Sequence, residues 1–220
     1  MQDDRFLRQQ DAVNMSRVTS LGVSLIGLGS VGSYTALGLG KLGVCGLQAW
    51  DADVVSPENV SCQLYGDDHI GMLKANAMLQ LMEQLGGHTP NAVCQRYEDQ
   101  PLTEVVISAV DSMVARKQIW QSVRQKSEVK LYIDSRMALQ TLVVYCVRPA
   151  IREDRVAYSL TLVPDAETLQ EPCTNRSIGF TAMMAGSILT SLVKRFVNDE
   201  EMPRRIVLDL ATFTLMVDHR

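Results

Sequence analysis

The 220-residue chain has no CxxC pair, and its five cysteines, Cys45, Cys62, Cys94, Cys146 and Cys173, are odd in number and widely scattered. That pattern argues against a disulfide framework and a cysteine-rich zinc site, and it fits a reducing cytoplasm. An excess of one charge sign is missing too. With 21 basic and 25 acidic residues the net charge is −4, which gives no electrostatic reason to expect nucleic acid or an anionic membrane as the main partner. The opening stretch MQDDRFLRQQ is polar and acidic and lacks the apolar region of a secretory signal. No uninterrupted apolar run reaches the ~20 residues that span a bilayer. The longest, IGFTAMMAGSILTSLV at 178–193, is broken by Gly, Thr and Ser and reads as a buried helix. Histidine is scarce: His69, His88 and His219 are the only three, and none stands in a catalytic context.

What is present is the composition of an ordinary globular protein. Hydrophobic residues make up 46% and charged residues 21%, with only 7 prolines, enough to bury a full core without disorder. The length suits a single domain, taken as 1–220, with the first twenty residues a helical arm outside the sheet. Periodicity predicts a strand at 23–29, a small-residue helix SVGSYTALGLGKLG and a strand at 46–51, which together form a βαβ unit. A helix over 72–87, strands at 91–97 and 104–111, an amphipathic helix at 113–126 and a strand at 130–135 follow. Beyond these, ALQTLVVYCVRP (138–149) and VAYSLTLVP (156–164) read as strands with no helix between them, which predicts antiparallel additions to the sheet. A helix at 178–197 and the strands RRIVLDL and FTLMV close the chain. The fold class is therefore α/β: a Rossmann-like doubly wound sheet, parallel in the N-terminal half with antiparallel strands added in the C-terminal half.

GLGSVG places Gly27, Gly29 and Gly32 in a G-x-G-x-x-G turn where a strand hands over to a helix. The first glycine permits the tight turn, the second lets a phosphate approach the backbone, and the third lets helix and strand pack closely. The helix that starts at Ser30 adds N–H donors and a dipole for the phosphate. Asp51 ends the next strand, nineteen positions after Gly32, where an acid accepts hydrogen bonds from ribose hydroxyls. NAD and ATP both suit that pattern. A dehydrogenase, however, needs an acid–base group for hydride transfer, and no histidine here is placed to supply one.

The stretches RFLRQQ, GLGSVGS, WDADVVSPENVSCQLYG, GMLK and ISAVDSMVARK, taken in that order, resemble the ThiF/MoeB/HesA family of adenylating enzymes, whose fold is shared with activators of ubiquitin-like proteins. The resemblance runs from Arg5 to about Phe196. It implies an ATP-dependent adenylyltransferase, with ATP and Mg2+, acting on the C-terminal carboxylate of a small ubiquitin-like or sulfur-carrier protein that ends in glycine. It puts Asp51 on the ribose, Asn59, Gln63 and Lys74 around the phosphates, with Lys74 as the principal cation, and magnesium on Asp111. Asp53 is either a magnesium ligand or a support behind one. Arg8 matches an arginine that crosses a homodimer interface to the partner's triphosphate. Cys173 matches a cysteine that accepts the acyl group as a thioester or persulfide-linked species.

Each of these residues has a plainer alternative. Asp111 could cap a helix, Lys74 could sit on a solvated helix face, and Asn59 and Gln63 could serve turn chemistry. Arg8 could form a surface ion pair, and its spacing to Gly27 is short for the family; Cys173 could be inert. The chain also departs from the family pattern: it reads NVSCQ where relatives have Asn-x-x-Arg-Gln, so Cys62 replaces a phosphate-facing arginine, which Arg116 or Arg136 could restore. Three other functions remain open: a catalytically degenerate activator-like binding subunit, a tRNA-modifying dehydratase of the same superfamily, and a nicotinamide dehydrogenase.

Overall fold

The computed structural model describes residues 4–163 and 177–219. An eight-stranded sheet runs in the order β3-β2-β1-β4-β5-β6-β7-β8. Strands β1 (Gly22–Ile26), β2 (Gly46–Trp50), β3 (Asn91–Val93), β4 (Val105–Ser108) and β5 (Leu131–Ala138) pair in parallel. Strands β6 (Thr141–Val147), β7 (Arg205–Asp209) and β8 (Thr214–Asp218) add on antiparallel. The sheet is thus parallel first and antiparallel after, as its hydrophobic pattern predicts.

Strand alternation divides the core between the two faces of the sheet. Val105, Ile107, Leu131 and Ile133 pack into one hydrophobic cluster, while their neighbours Val106 and Tyr132 pack into the other. Burial on both sides explains the near-continuous apolar runs of these central strands. The first cluster is covered by α2 (Ser30–Leu42), α3 (Lys74–Leu85) and α6 (Gly179–Val197). The second contains Ile119, Trp120 and Val123 of α4 (Met113–Val123) and Tyr158 of α5 (Arg152–Ser159).

Helix α6 is long and apolar enough to cross a membrane by length and composition alone. It instead buries Ala185, Leu189, Leu192 and Val193 in the main core. Close approach to α2 depends on small residues: a Cβ on Gly38 would stand 2.1 Å from Thr190 Oγ1, and one on Gly186 would stand 2.7 Å from Tyr34 Cβ. At the N-terminal end, a 3-10 turn (Asp4–Gln9) and α1 (Met15–Ser20) bury Phe6 and Val18, and Phe6 stacks on His88.

Two predicted strands are corrected. The strand predicted at 156–164 does not form over its described residues, 156–163: residues 152–159 form α5, followed by a turn. Charge and packing decide it together. Glu153 and Asp154 occupy the first turn, where the helix dipole favours acids, and Asp154 Oδ2 accepts from the Arg148 amide at 3.1 Å. Asp154 and Tyr158, one turn apart, are the buried residues, whereas Val156 and Leu160 face outward. The run at 91–97 keeps only Asn91–Val93 as strand, because the chain turns at once, with the Gln95 amide bonded to Val93 O.

Candidate nucleotide-binding site

Strand order reverses between β1 and β4, and doubly wound sheets hold ligands at the carboxyl ends of the strands flanking such a point. Gly27 leaves β1 with φ +95°, and a Cβ there would meet Ala109 O, just beyond β4, at 2.6 Å. A Cβ on Gly32 would stand 1.9 Å from Gly27 O. Those two glycines are required by packing. Gly29 differs: a Cβ on it would meet nothing within 4 Å, and as the N-cap of α2 it leaves the helix terminus without a side-chain cap. An open cradle of backbone amides results, the geometry that takes a phosphate.

Asp51 is tied to this turn. One carboxylate oxygen accepts the Leu28 amide at 2.7 Å and the other the Asp53 amide at 2.8 Å. Burial raises its pKa above the ordinary aspartate range, against the lowering effect of those amides and of Lys74. Each oxygen can still accept a ribose hydroxyl. Lys74 is the first residue of α3, and its amide bonds Asp53 O at 2.9 Å. Its ammonium lies 3.2 Å from Asp53 Oδ2 with only 7% of the residue exposed, so it is not a lysine on a solvated helix face.

Motif reasoning missed Tyr65. Its buried hydroxyl lies 2.8 Å from Leu28 O and 3.3 Å from Lys74 O, so a single phenol holds the phosphate turn to the start of α3. Burial, then the charge of Asp51, pushes its pKa far above the usual phenol value, so the group stays a neutral donor. The available signal was a lone aromatic residue in the loop after Asp51, next to Gly66.

The remaining candidates separate. Asn59 Oδ1 accepts the Ser56 amide at 3.1 Å, which is turn chemistry. Gln63 is 8% exposed, and its buried Oε1 has no hydrogen-bond partner among the described residues, so turn chemistry does not account for it. Cys62 is buried with Sγ 3.6 Å from Ser30 Oγ, which itself accepts from Ser177 Oγ at 2.8 Å. Asp111 follows β4 at its carboxyl end, next to the segment under Gly27; its carboxylate is exposed and pairs with no described residue. Helix capping falls instead to Ser112, whose hydroxyl accepts the Ala115 amide at 3.3 Å.

Neither arginine replaces the one missing at Cys62. Arg116 Nε bonds Asp134 Oδ1 at 2.7 Å and Arg136 Nε bonds Asp134 Oδ2 at 2.9 Å, and both guanidinium groups are further held by backbone carbonyls. Arg8 is not brought to the site of its own chain. Its neighbour Gln9 bonds Leu42 O at 2.9 Å, at the far end of α2, and the 13 residues of that helix separate the two ends by about 20 Å. Cys173 lies outside the described residues.

These groups suit MgATP. They provide an open amide cradle, an acid with spare acceptor capacity and a buried ammonium. Magnesium asks for one or two carboxylates and takes its other ligands from phosphates and water, which Asp111 can satisfy.

The ThiF family model matches residues 4–219. The chain belongs to the ThiF family. Ubiquitin-like modifier-activating enzyme 5 of Arabidopsis thaliana is 25% identical over 170 residues, covering 73% of this chain and 39% of that protein. The protein of the same name from Oryza sativa subsp. japonica is 30% identical over 84 residues, 38% of this chain and 19% of the relative. This ThiF-family chain therefore matches about two-fifths or less of the length of those relatives. Among solved structures, PaaA superposes with a TM-score of 0.73 at 16% identity, covering 93% of this chain and 65% of that one. E. coli MccB solved with ATP gives 0.74 at 14% identity, covering 99% and 72%. MccB solved with AMPCPP and MccA gives 0.75 at 13%, covering 100% and 72%. At such identities these likenesses show the fold.

Proposed function

We propose that this chain is an ATP-dependent adenylyltransferase acting on the C-terminal carboxylate of a small ubiquitin-like or sulfur-carrier protein that ends in glycine. The observation that carries the reading is the Tyr65 hydroxyl, which pins Lys74 against the turn that carries Gly29. In this arrangement a triphosphate lies over the amides at the start of α2, Asp51 takes the ribose hydroxyls, and Gln63 binds from the side. The Lys74 ammonium exchanges Asp53 for phosphate oxygens. Asp111 would hold magnesium, which would neutralise charge on the phosphates. The incoming carboxylate is already a nucleophile: its oxygen bonds to the α-phosphorus, the bond to the bridging oxygen breaks, and pyrophosphate leaves. The protein's contribution is position and charge. In a following step Cys173 takes the acyl group and AMP departs.

Family membership, and the likeness to MccB solved with ATP, support nucleotide use and adenylation at a general level. Cytoplasmic location and a homodimer belong to the same proposal. The dimer has a particular reason: Cys62 supplies no guanidinium and Arg116 and Arg136 are bound to Asp134, and Arg8 of a second copy is the candidate for an arginine on the triphosphate. ATP–pyrophosphate exchange with a Gly-Gly-ending carrier protein tests the reading. Cys173→Ala should keep exchange and lose any covalent carrier adduct; an adduct that survives on non-reducing gels removes Cys173 from the mechanism.

Cysteine in place of the phosphate-facing arginine at position 62 also favours a second reading, a subunit that binds nucleotide and partner without chemistry. ATP binding with no exchange, at any carrier concentration, would establish it.

A further inference from the structure

Asp134 has no exposed surface and sits at the carboxyl edge of the parallel sheet, paired in register with Ser108, the last residue of β4. Its carboxylate receives Arg116 on one oxygen and Arg136 on the other. Burying the Arg116–Asp134 pair, with Arg136 partly exposed beside it, often stabilises a fold no better than apolar packing of equal volume. Their value here lies in what they hold. Arg116 Nη2 donates to Val110 O at 2.5 Å and to Ser135 O at 3.2 Å. Val110 O belongs to the peptide group from which Asp111 departs, and on the other side Ser112 is fixed as the N-cap of α4 and accepts the Arg116 amide at 3.0 Å. Arg136 completes the arrangement through Thr161 O at 2.9 Å and Thr161 Oγ1 at 2.8 Å, with its guanidinium 4.6 Å from the Tyr145 ring centre. An exposed carboxylate with no described partner is thereby held on a backbone anchored at both flanks.

We propose that Asp134 is a positioning residue for metal binding: by holding the Arg116 guanidinium against Val110 O, it sets the Asp111 carboxylate to receive magnesium on the triphosphate. The inference rests on the reading of Asp111 given above and adds what keeps that residue in place. Groups that orient metal ligands from behind are commonly worth 10–100-fold in metal affinity.

The test is ATP binding by calorimetry across a MgCl2 series, with thermal melting in parallel, on wild type, Asp111→Ala, Asp134→Asn and Arg116→Lys. Magnesium should tighten ATP binding to the wild type, and Asp111→Ala should flatten that dependence. Asp134→Asn should raise the half-effective Mg2+ concentration about ten-fold while metal-free ATP affinity stays unchanged. Arg116→Lys keeps the charge but cannot hold both Asp134 and Val110 O, and should show the same shift; it decides the matter if Asp134→Asn does not fold. Lower melting temperatures with a wild-type Mg2+ dependence in the folded variants would mean that Asp134 is structural only. Identical Mg2+ dependence in wild type and Asp111→Ala would overturn the Asp111 assignment, and with it this one.

Discussion

Asp51 and Asp134 stand at the same edge of one sheet and are treated in opposite ways. Asp51 accepts one neutral backbone amide on each oxygen and keeps capacity on both. Asp134 accepts a charged guanidinium on each oxygen in full burial, where no ligand can reach its remaining lone pairs. Around Asp51 the pattern of spare capacity continues, with an open face on Gly29. Around Asp134 it ends in carbonyls, aromatic rings and a threonine hydroxyl. Residue type and position in the sheet therefore do not make a ligand site. Unspent hydrogen-bonding capacity facing an open volume does.

The strongest way to break this contrast is at Asp111, which has no described partner. Asp111→Ala should abolish ATP–pyrophosphate exchange while leaving the thermal midpoint near wild type, because nothing described depends on the carboxylate. A large loss of stability instead would show it to be part of the scaffold, like Asp134. Lys74→Met comes next. It removes the ammonium and should lower the exchange rate on the order of 10²–10³-fold, as measured by pyrophosphate incorporation at saturating ATP.

Tyr65→Phe sharpens the comparison by testing a residue that holds rather than binds. Loss of one donor to two buried carbonyls should cost about 1–3 kcal/mol in urea unfolding. Nucleotide affinity should weaken with it, since Leu28 and Lys74 are no longer joined.

The smallest effect concerns pH. Burial holds the folded pKa of Asp51 above its unfolded value, so its contribution to stability is complete below the ordinary aspartate pKa and is lost as pH rises through the raised folded value. The stability of Asp51→Asn relative to wild type should therefore be more favourable at pH 7 than at pH 4. Conversely, ATP affinity of the wild type should fall on acidification at a higher pH than an ordinary aspartate would give, as ribose binding loses its anion; equal profiles for wild type and Asp51→Asn would remove Asp51 from the site.

The parts of this protein that were legible in its sequence are those governed by local rules. Short apolar runs marked β1, β2, β4 and β5, and steric demand placed Gly27 and Gly32, because each constraint acts within a few residues. The failures involve tertiary neighbours. VAYSLTLVP reads as strand by its apolar content, yet a helix forms because Asp154 meets Arg148 and Tyr158 meets Trp120 and Tyr132. Arg116 and Arg136 looked available for phosphate until the pairing of β4 with β5 set Asp134 between them. Tyr65 bonds across 37 residues to Leu28, and no spacing rule carries that information. Arg8 matched a motif, but the chain folds it under the opposite end of α2 from Gly29.

The central claim is that one cleft at the carboxyl ends of β1, β2 and β4 gathers the groups that hold a triphosphate. A crystal structure with magnesium and AMPCPP tests it most directly. The account predicts the phosphates over Gly29, the ribose hydroxyls on Asp51, the Lys74 ammonium moved from Asp53 onto a phosphate oxygen, and the metal on Asp111. A nucleotide bound elsewhere, or bound there with Lys74 still on Asp53 and Asp111 turned to solvent, would contradict it.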